Sequence, residues 1–156
     1  MTDERWHLGI VGEGPERQAI LDEALRLDIA HRVHLPGAVT DPAKAAGLFD
    51  IFALSSDSEQ IPISVVEAMA AGLPVVSPAV GDVAAMGAPD NAPFITPVGD
   101  EVELGEALDA LAKNPDLRAQ IGEANRARAQ VEYDEAAMVA RYRAIYAGAM
   151  GRDSFP

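Results

Sequence analysis

Two carboxylates stand where their chemistry is hard to explain by packing alone. Glu67 lies inside Ile63 to Ala71, an apolar run at helical spacing with no other charged residue. A carboxylate held in apolar surroundings without a partner costs several kcal/mol, so Glu67 must either reach an open cleft or accept hydrogen bonds. Its two oxygens match a vicinal diol, such as the 2′- and 3′-hydroxyls of a ribose. The competing reading is a carboxylate that caps neighbouring backbone or meets an arginine across the core. Glu59 stands eight positions earlier, ahead of Pro62, in the loop that leads into the same helix. The first N–H groups of a helix have no partner within it, so Ile63 and Ser64 offer free amides to an anion such as a diphosphate, aided by the helix dipole. Glu59 then overhangs that space and can accept from sugar hydroxyls beyond the phosphate. A solvated loop acid that merely complements the dipole is the plainer alternative.

Other chemistries lack a motif. Gly12-Glu13-Gly14 begins like a dinucleotide fingerprint, but Arg17 occupies the place of the third glycine, which leaves a simple strand-to-helix turn. His7, His31 and His34 share no metal-ligand spacing with acids or with one another, and the sequence predicts no metal site. Neither a Gly-x-Ser-x-Gly elbow nor a Walker-type lysine loop occurs. No residue stands out as a general base.

The elements that must position these residues follow from the apolar pattern. Trp6 to Val11 reads as a strand closed by Gly12-Glu13-Gly14-Pro15, with Pro15 suited to the first helical position. Val33-His34-Leu35 is a short strand ending at Pro36-Gly37, and Asp41-Pro42 then caps a short helix through Leu48. Ile51 to Leu54 reads as a buried strand, Pro62 to about Ala71 as a helix stopped by Gly72-Leu73-Pro74, and Val75-Val76-Ser77 as the next strand. A weaker strand is expected at Phe94-Ile95-Thr96, then helices near 101–113, 115–130 and 135–149. Short, continuously apolar strands alternating with helices require a mostly parallel sheet covered on both faces. The predicted architecture is an α/β, doubly wound, Rossmann-like sheet with carboxy-terminal helices, forming one domain over 1–150 with a frayed tail over 151–156. Ligands of such sheets gather beyond the carboxyl ends of the strands, which points to the loops after Val11, Leu35, Leu54 and Ser77.

Composition narrows the partners. Twenty-five acids against twelve bases give a formal charge of −13, which argues against an affinity built on neutralising nucleic-acid phosphates. Small phosphorylated ligands stay open, because a few amides hold an anion locally whatever the total charge. There is no cysteine, so disulfides and thiolate metal sites are excluded. Met1 to Arg5 carries acids where an export signal carries only positive charge, and the longest uncharged stretch, Ala68 to Gly81, falls short of the roughly 18 apolar residues of a membrane span. A cytoplasmic place is expected, either free or peripheral at the inner membrane face, with no transmembrane segment.

The stretch Glu59 to Val76 resembles the carboxy-terminal domain of retaining glycosyltransferases of the GT-B fold, the group 1 or family 4-like enzymes. Their motif has two glutamates separated by seven residues, then Ala-Met-Ala, a glycine, a proline and a valine pair. Here Glu59, Glu67, Ala68-Met69-Ala70, Gly72, Pro74 and Val75-Val76 fill it. Val11-Gly12-Glu13-Gly14-Pro15-Glu16 and Pro97-Val98-Gly99-Asp100 resemble the flanking signatures, so the likeness covers about residues 6 to 147. The resemblance implies that Glu59 with Gln60 contacts the donor sugar. The amides of Ile61, Ile63 and Ser64, with Gly12 and Gly14, would bind the diphosphate. Glu67 would hold the ribose, and the loop after Leu35, with Gly37, would lie near the base. No metal is implied, and the substrate is a nucleotide-diphosphate sugar.

This chain departs from the pattern in three places. Gln60 replaces a usual glycine, which alters the loop that meets the sugar. The glycine pair after the valine strand reads here as Gly81-Asp82, and Asp82 is expected to face outward as a helix cap. A strand and loop that carry an arginine and a lysine for the diphosphate precede this segment in the family and are absent here, as is the acceptor domain. The expected function is therefore a donor-binding domain of a retaining glycosyltransferase that is inactive alone. The alternative is a non-catalytic, Rossmann-like scaffolding module that has lost phosphate affinity. In the last helix Met138, Val139, Tyr142, Ile145, Tyr146 and Ala149 make an apolar stripe, expected to be partly exposed and to bind an acceptor-domain chain or a second copy.

Overall fold

The computed structural model describes residues 6–153 and 155. Met1 to Arg5, read above as unlike an export signal, and tail residues Ser154 and Pro156 lie outside the described residues. Along the chain the elements run β1 (Leu8–Val11), α1 (Arg17–Arg26), β2 (Val33–Gly37), α2 (Pro42–Ala46), β3 (Phe52–Ala53), α3 (Ile63–Ala70) and β4 (Val75–Pro78). There follow α4 (Val83–Met86), a 3-10 segment (Pro89–Phe94), β5 (Ile95–Thr96), α5 (Glu101–Lys113), α6 (Pro115–Glu132) and α7 (Glu135–Ala149). Every strand pair is parallel, as the apolar pattern predicted.

The strands fall into two sheets. β1 pairs with β2, and β4 sits between β3 and β5. On β4 successive side chains point to opposite faces. Val75 packs with Val65, Ala68, Met69 and Val83 on one side, and Val76 packs with Phe94, Leu111 and Ile121 on the other. All four β4 residues are buried. This is the doubly wound arrangement in its complete form, with helices on both faces. In the other sheet β1 steps two residues from Gly9 to Val11 while β2 steps three, from His34 to Gly37. The extra residue bulges β2 at Leu35-Pro36, where proline has no N–H to pair.

Helix boundaries follow local chemistry. Asp41, Asp100, Asn114 and Asp134 each accept from the amide three residues on and so begin α2, α5, α6 and α7. α3 ends in a Schellman turn: Gly72 at φ 79° passes its N–H to the Met69 carbonyl, and Leu73 passes its own to the Ala68 carbonyl. Pro15 does not open α1, which starts at Arg17 after a turn; Arg17 N–H reaches back to the Gly14 carbonyl, and Glu16 gives no side-chain cap. Glycine 122 marks the closest helix contact, since a Cβ there would lie 2.0 Å from the Gly72 carbonyl oxygen.

α6 ties the core together by polar contacts. Asn125, fully buried, donates to the Leu73 carbonyl and to Asn91 Oδ1, and accepts from the Ala88 amide. Asn91 in turn pairs with both the N–H and the carbonyl of Val75 at 2.8 and 2.7 Å. Neighbours thus satisfy these buried groups, as burial demands. The arginines of α6 reach outward to other helix ends: Arg118 donates to Leu111 and Ala112, Arg126 to Ala71, and Arg128 to Ala85 and Met86. Each guanidinium meets carbonyls at a helix carboxyl end, where a cation is favoured.

Candidate functional site

The predicted residues gather in two groups, each beyond the carboxyl ends of its own strands. The first surrounds β1 and β2. Gly12, at φ 131°, donates its N–H to the Gly37 carbonyl at 2.9 Å, and Gly37 itself takes φ 86°. Arg17 Nη2 donates to the Leu35 carbonyl at 2.9 Å, so that cation is engaged on backbone. Gly14 is exposed and open, with nothing near the position a Cβ would take. Gly12, Gly14, Leu35 and Gly37 therefore line one small region, in which Glu13 Oε1 lies 3.7 Å from the Cβ position of Gly37.

The second group surrounds β3, β4 and the start of α3. Pro62 holds extended backbone at φ −70°, ψ 115°, and the helix proper begins at Ile63. The Val65 amide bonds the Pro62 carbonyl, while those of Ile63 and Ser64 have no acceptor among the described residues. Ile63 is 72% exposed and Ile61 is exposed beside it, so this amide end opens to solvent. Glu67, one turn further on, lies on the same helix face as Ile63. It is half-buried, and no described side chain or amide bonds its carboxylate. The competing reading, a glutamate turned inward to cap backbone or meet an arginine, does not describe this residue.

Glu59 is also half-buried and accepts a hydrogen bond from Ser56 Oγ at 2.7 Å, which fixes one carboxylate oxygen. Gln60 has an exposed side chain, but its backbone is tied down: its carbonyl accepts from the Asp82 amide at 2.9 Å. Gly81 makes that contact feasible. At φ 52°, a Cβ on residue 81 would fall 2.3 Å from the Gln60 carbonyl oxygen and 2.6 Å from that of Glu59. Asp82 faces outward as expected, yet its side chain makes no capping bond to α4, so its expected role as a cap is not fulfilled. What Asp82 supplies is its amide, which anchors the loop that carries Glu59. The tight pairing of Gly81 with the 59–60 backbone was not legible in the sequence, where only the glycine hinted at it.

No hydrogen bond joins the two groups among the described residues. Nor do three His, Asp or Glu side chains gather as a metal would require among them. His7 and His34, read as unrelated, are brought together by the β1–β2 register, with Nδ1 of His7 2.9 Å from Nε2 of His34. A cavity of about 550 Å³ lies elsewhere, between α7 and the tail at Asp153 and Phe155. No helix among the described residues is long and apolar enough to cross a membrane.

Comparison with known proteins bears on the fold and the family. N-acetyl-alpha-D-glucosaminyl L-malate synthase of Bacillus anthracis is 27% identical over 146 residues, covering 94% of this chain and 38% of that protein. An uncharacterized glycosyltransferase of Haemophilus influenzae is 33% identical over 125 residues, 78% of this chain and 35% of that one. The chain thus spans well under half the length of these relatives. Among solved structures, sucrose-phosphate synthase from Thermosynechococcus elongatus superposes with a TM-score of 0.85 at 22% identity, over 93% of this chain and 39% of that one. Anabaena Alr3699/HepE in complex with UDP superposes with a TM-score of 0.86 at 21% identity, over 94% and 42%. These likenesses establish the GT-B type of α/β fold. Residues 1–128 match the family described as Glycosyl transferases group 1, and the chain belongs to that family.

Proposed function

We propose that this chain is the donor-binding half of a retaining glycosyltransferase and that it takes a nucleotide-diphosphate sugar. One observation carries the reading: Glu67, in a helix otherwise without charge, is half-buried, and among the described residues neither it nor the two amides one turn ahead of it has a hydrogen-bond partner. In this reading the Ile63 and Ser64 amides, with Ile61 and the glycines Gly12 and Gly14, meet the diphosphate. Glu67 accepts from the ribose diol, Glu59 and Gln60 meet the sugar, and Leu35 and Gly37 border the base. Complexes of Alr3699/HepE with UDP and with UDP-glucose are consistent with this ligand class.

Titration calorimetry with UDP-, GDP- and ADP-sugars tests it. Glu67→Gln removes a charge-assisted acceptor, which is worth about 1.5–3 kcal/mol, so affinity falls by about ten- to a hundredfold. Thermal stability holds, because no protein group loses a partner. Saturation by none of these ligands at millimolar concentration favours the other reading, a scaffolding module without phosphate affinity.

Turnover requires an acceptor site as well. Positioning two reactants contributes about 7–11 kcal/mol to such reactions, and this chain offers no general base, so by itself it transfers no sugar. We assign the acceptor partner to α7. Met138, Tyr142, Ile145 and Tyr146 are exposed along it, and Ala147 alone of its residues is buried. Light scattering of the chain alone and with an acceptor domain reads that association.

A further inference from the structure

β1 and β2 bring together two histidines that stand 27 positions apart in the chain. Gly9 lies opposite His34 in the parallel register, and His7, two residues before Gly9, reaches the same face of the sheet. Nδ1 of His7 is 2.9 Å from Nε2 of His34, and the ring centroids are 5.1 Å apart with 23° between the planes. Both side chains are exposed. They sit at the amino ends of β1 and β2, whereas Gly12 and Gly37 sit at the carboxyl ends. Five extended residues, about 16 Å, separate His7 from Gly12.

The contact leaves one hydrogen between two nitrogens. In a pair of neutral imidazoles one nitrogen donates and the other accepts, in whichever tautomer the rings adopt. Without that hydrogen, two ring nitrogens with lone pairs stand 2.9 Å apart. Two nitrogens bound to one ion at about 2.0–2.1 Å, at right angles to each other, also stand about 2.9 Å apart. The strands thus hold the two rings at the spacing of adjacent corners in a square or octahedral coordination sphere. Rotation about the soft bond from Cβ to the ring can aim both lone pairs at one point, and exposure leaves room for it.

Imidazole suits copper, nickel and zinc, whereas magnesium and calcium take oxygen ligands. A formal charge of −13 raises the local concentration of any cation. Groups of three ligand side chains, such as resident catalytic metals use, are absent among the described residues. Two imidazoles instead make an open, exchangeable site whose other positions belong to water.

We propose that His7 and His34 form a two-imidazole site for a divalent transition ion of right-angled geometry, Cu2+ above Ni2+, which clips the start of β1 to β2. His7 Nδ1 and His34 Nε2 bind the ion. The hydrogen between them passes to the outer nitrogen of the ring that carried it, so both rings remain neutral and no proton is lost overall. The clip fastens a strand that has only one ladder. It rests on the register of β1 with β2 and is independent of the nucleotide-sugar reading.

The test titrates the chain with CuCl2. Trp6, the only tryptophan, precedes His7, so bound Cu2+ quenches its fluorescence. The first equivalent of Cu2+ saturates this quenching, NiCl2 competes with lower affinity, and MgCl2 does not compete. His7→Gln and His34→Gln each weaken Cu2+ binding by about tenfold or more. The double variant is little weaker than either, because a single imidazole no longer chelates. His31→Gln removes an exposed histidine outside the contact and leaves the affinity unchanged. NiCl2 raises the thermal midpoint of the parent chain but of neither glutamine variant, since both imidazoles meet the ion together only in the folded state. NMR of the parent chain needs no variant: substoichiometric Cu2+, which is paramagnetic, broadens the ring signals of His7 and His34 together, ahead of those of His31. The proposal is overturned if neither glutamine variant weakens binding, or if His31→Gln weakens it as much. It is also overturned if Cu2+ broadens His31 first, or only one ring of the pair.

Discussion

β4 and β1 are nearly the same sequence in kind, Val-Val-Ser-Pro against Leu-Gly-Ile-Val, yet their surroundings differ sharply. β4 has a strand on each edge and helices on each face, and all four of its residues are buried. β1 has one neighbour and leaves its first and last residues exposed. Apolar content thus records what a strand requires, while burial records whether that requirement is met within these residues. Among the described residues β4 is enclosed on its edges and faces, and β1 is covered on one edge only.

The sharpest way to break this comparison is to truncate one side chain in each half. Ile121, fully buried against β4 with Leu111 and Val76, should lose about 4 kcal/mol as Ile121→Ala, read by urea unfolding. An intermediate effect is expected at the loop after β4, which anchors the 59–60 backbone. Gly81→Ala meets both a left-handed backbone and the Gln60 carbonyl, so it should cost about 1–3 kcal/mol. It should also displace the 59–60 backbone, so calorimetry finds affinity for a nucleotide sugar falling more than affinity for the bare nucleotide. Smallest is Leu8→Ala on the exposed strand, expected below about 1 kcal/mol, because its atoms are already partly in water. A Leu8 loss equal to that at Ile121 would show that β1 is as well covered as β4, and the contrast would collapse.

The sequence patterns of the β4 half carried far. α3, β4, α5, α6 and α7 all lie within a residue or two of where periodicity and caps put them, because each begins at a capping residue or proline and ends at glycine or a change of pattern. Glu67 was legible as an oddity, one acid in an apolar helix, and its half-buried, unpartnered state is the form that oddity takes. Pairings that depend on the third dimension were not legible. Asn125 sits in register with Ile121 and Ala129, i to i+4 to i+8, so its burial could be suspected, but its partners Leu73, Ala88 and Asn91 are set by packing. The short α4 and the 3-10 turn at Pro89–Phe94 give too few residues for a period to emerge. Division of the strands into two sheets was equally hidden, since hydrophobicity along a strand does not say which strand lies beside it.

The arginines of α6 leave one more mark. Three of the twelve basic residues are turned onto helix carbonyls within the protein, while most of twenty-five acids face solvent. On the proposed reading, a diphosphate would therefore approach through a repulsive field before it reached any amide. Added salt shortens the range of that field, to about 8 Å at physiological ionic strength. Ligand capture by this chain should thus quicken as ionic strength rises, the reverse of what a lysine-lined phosphate pocket does.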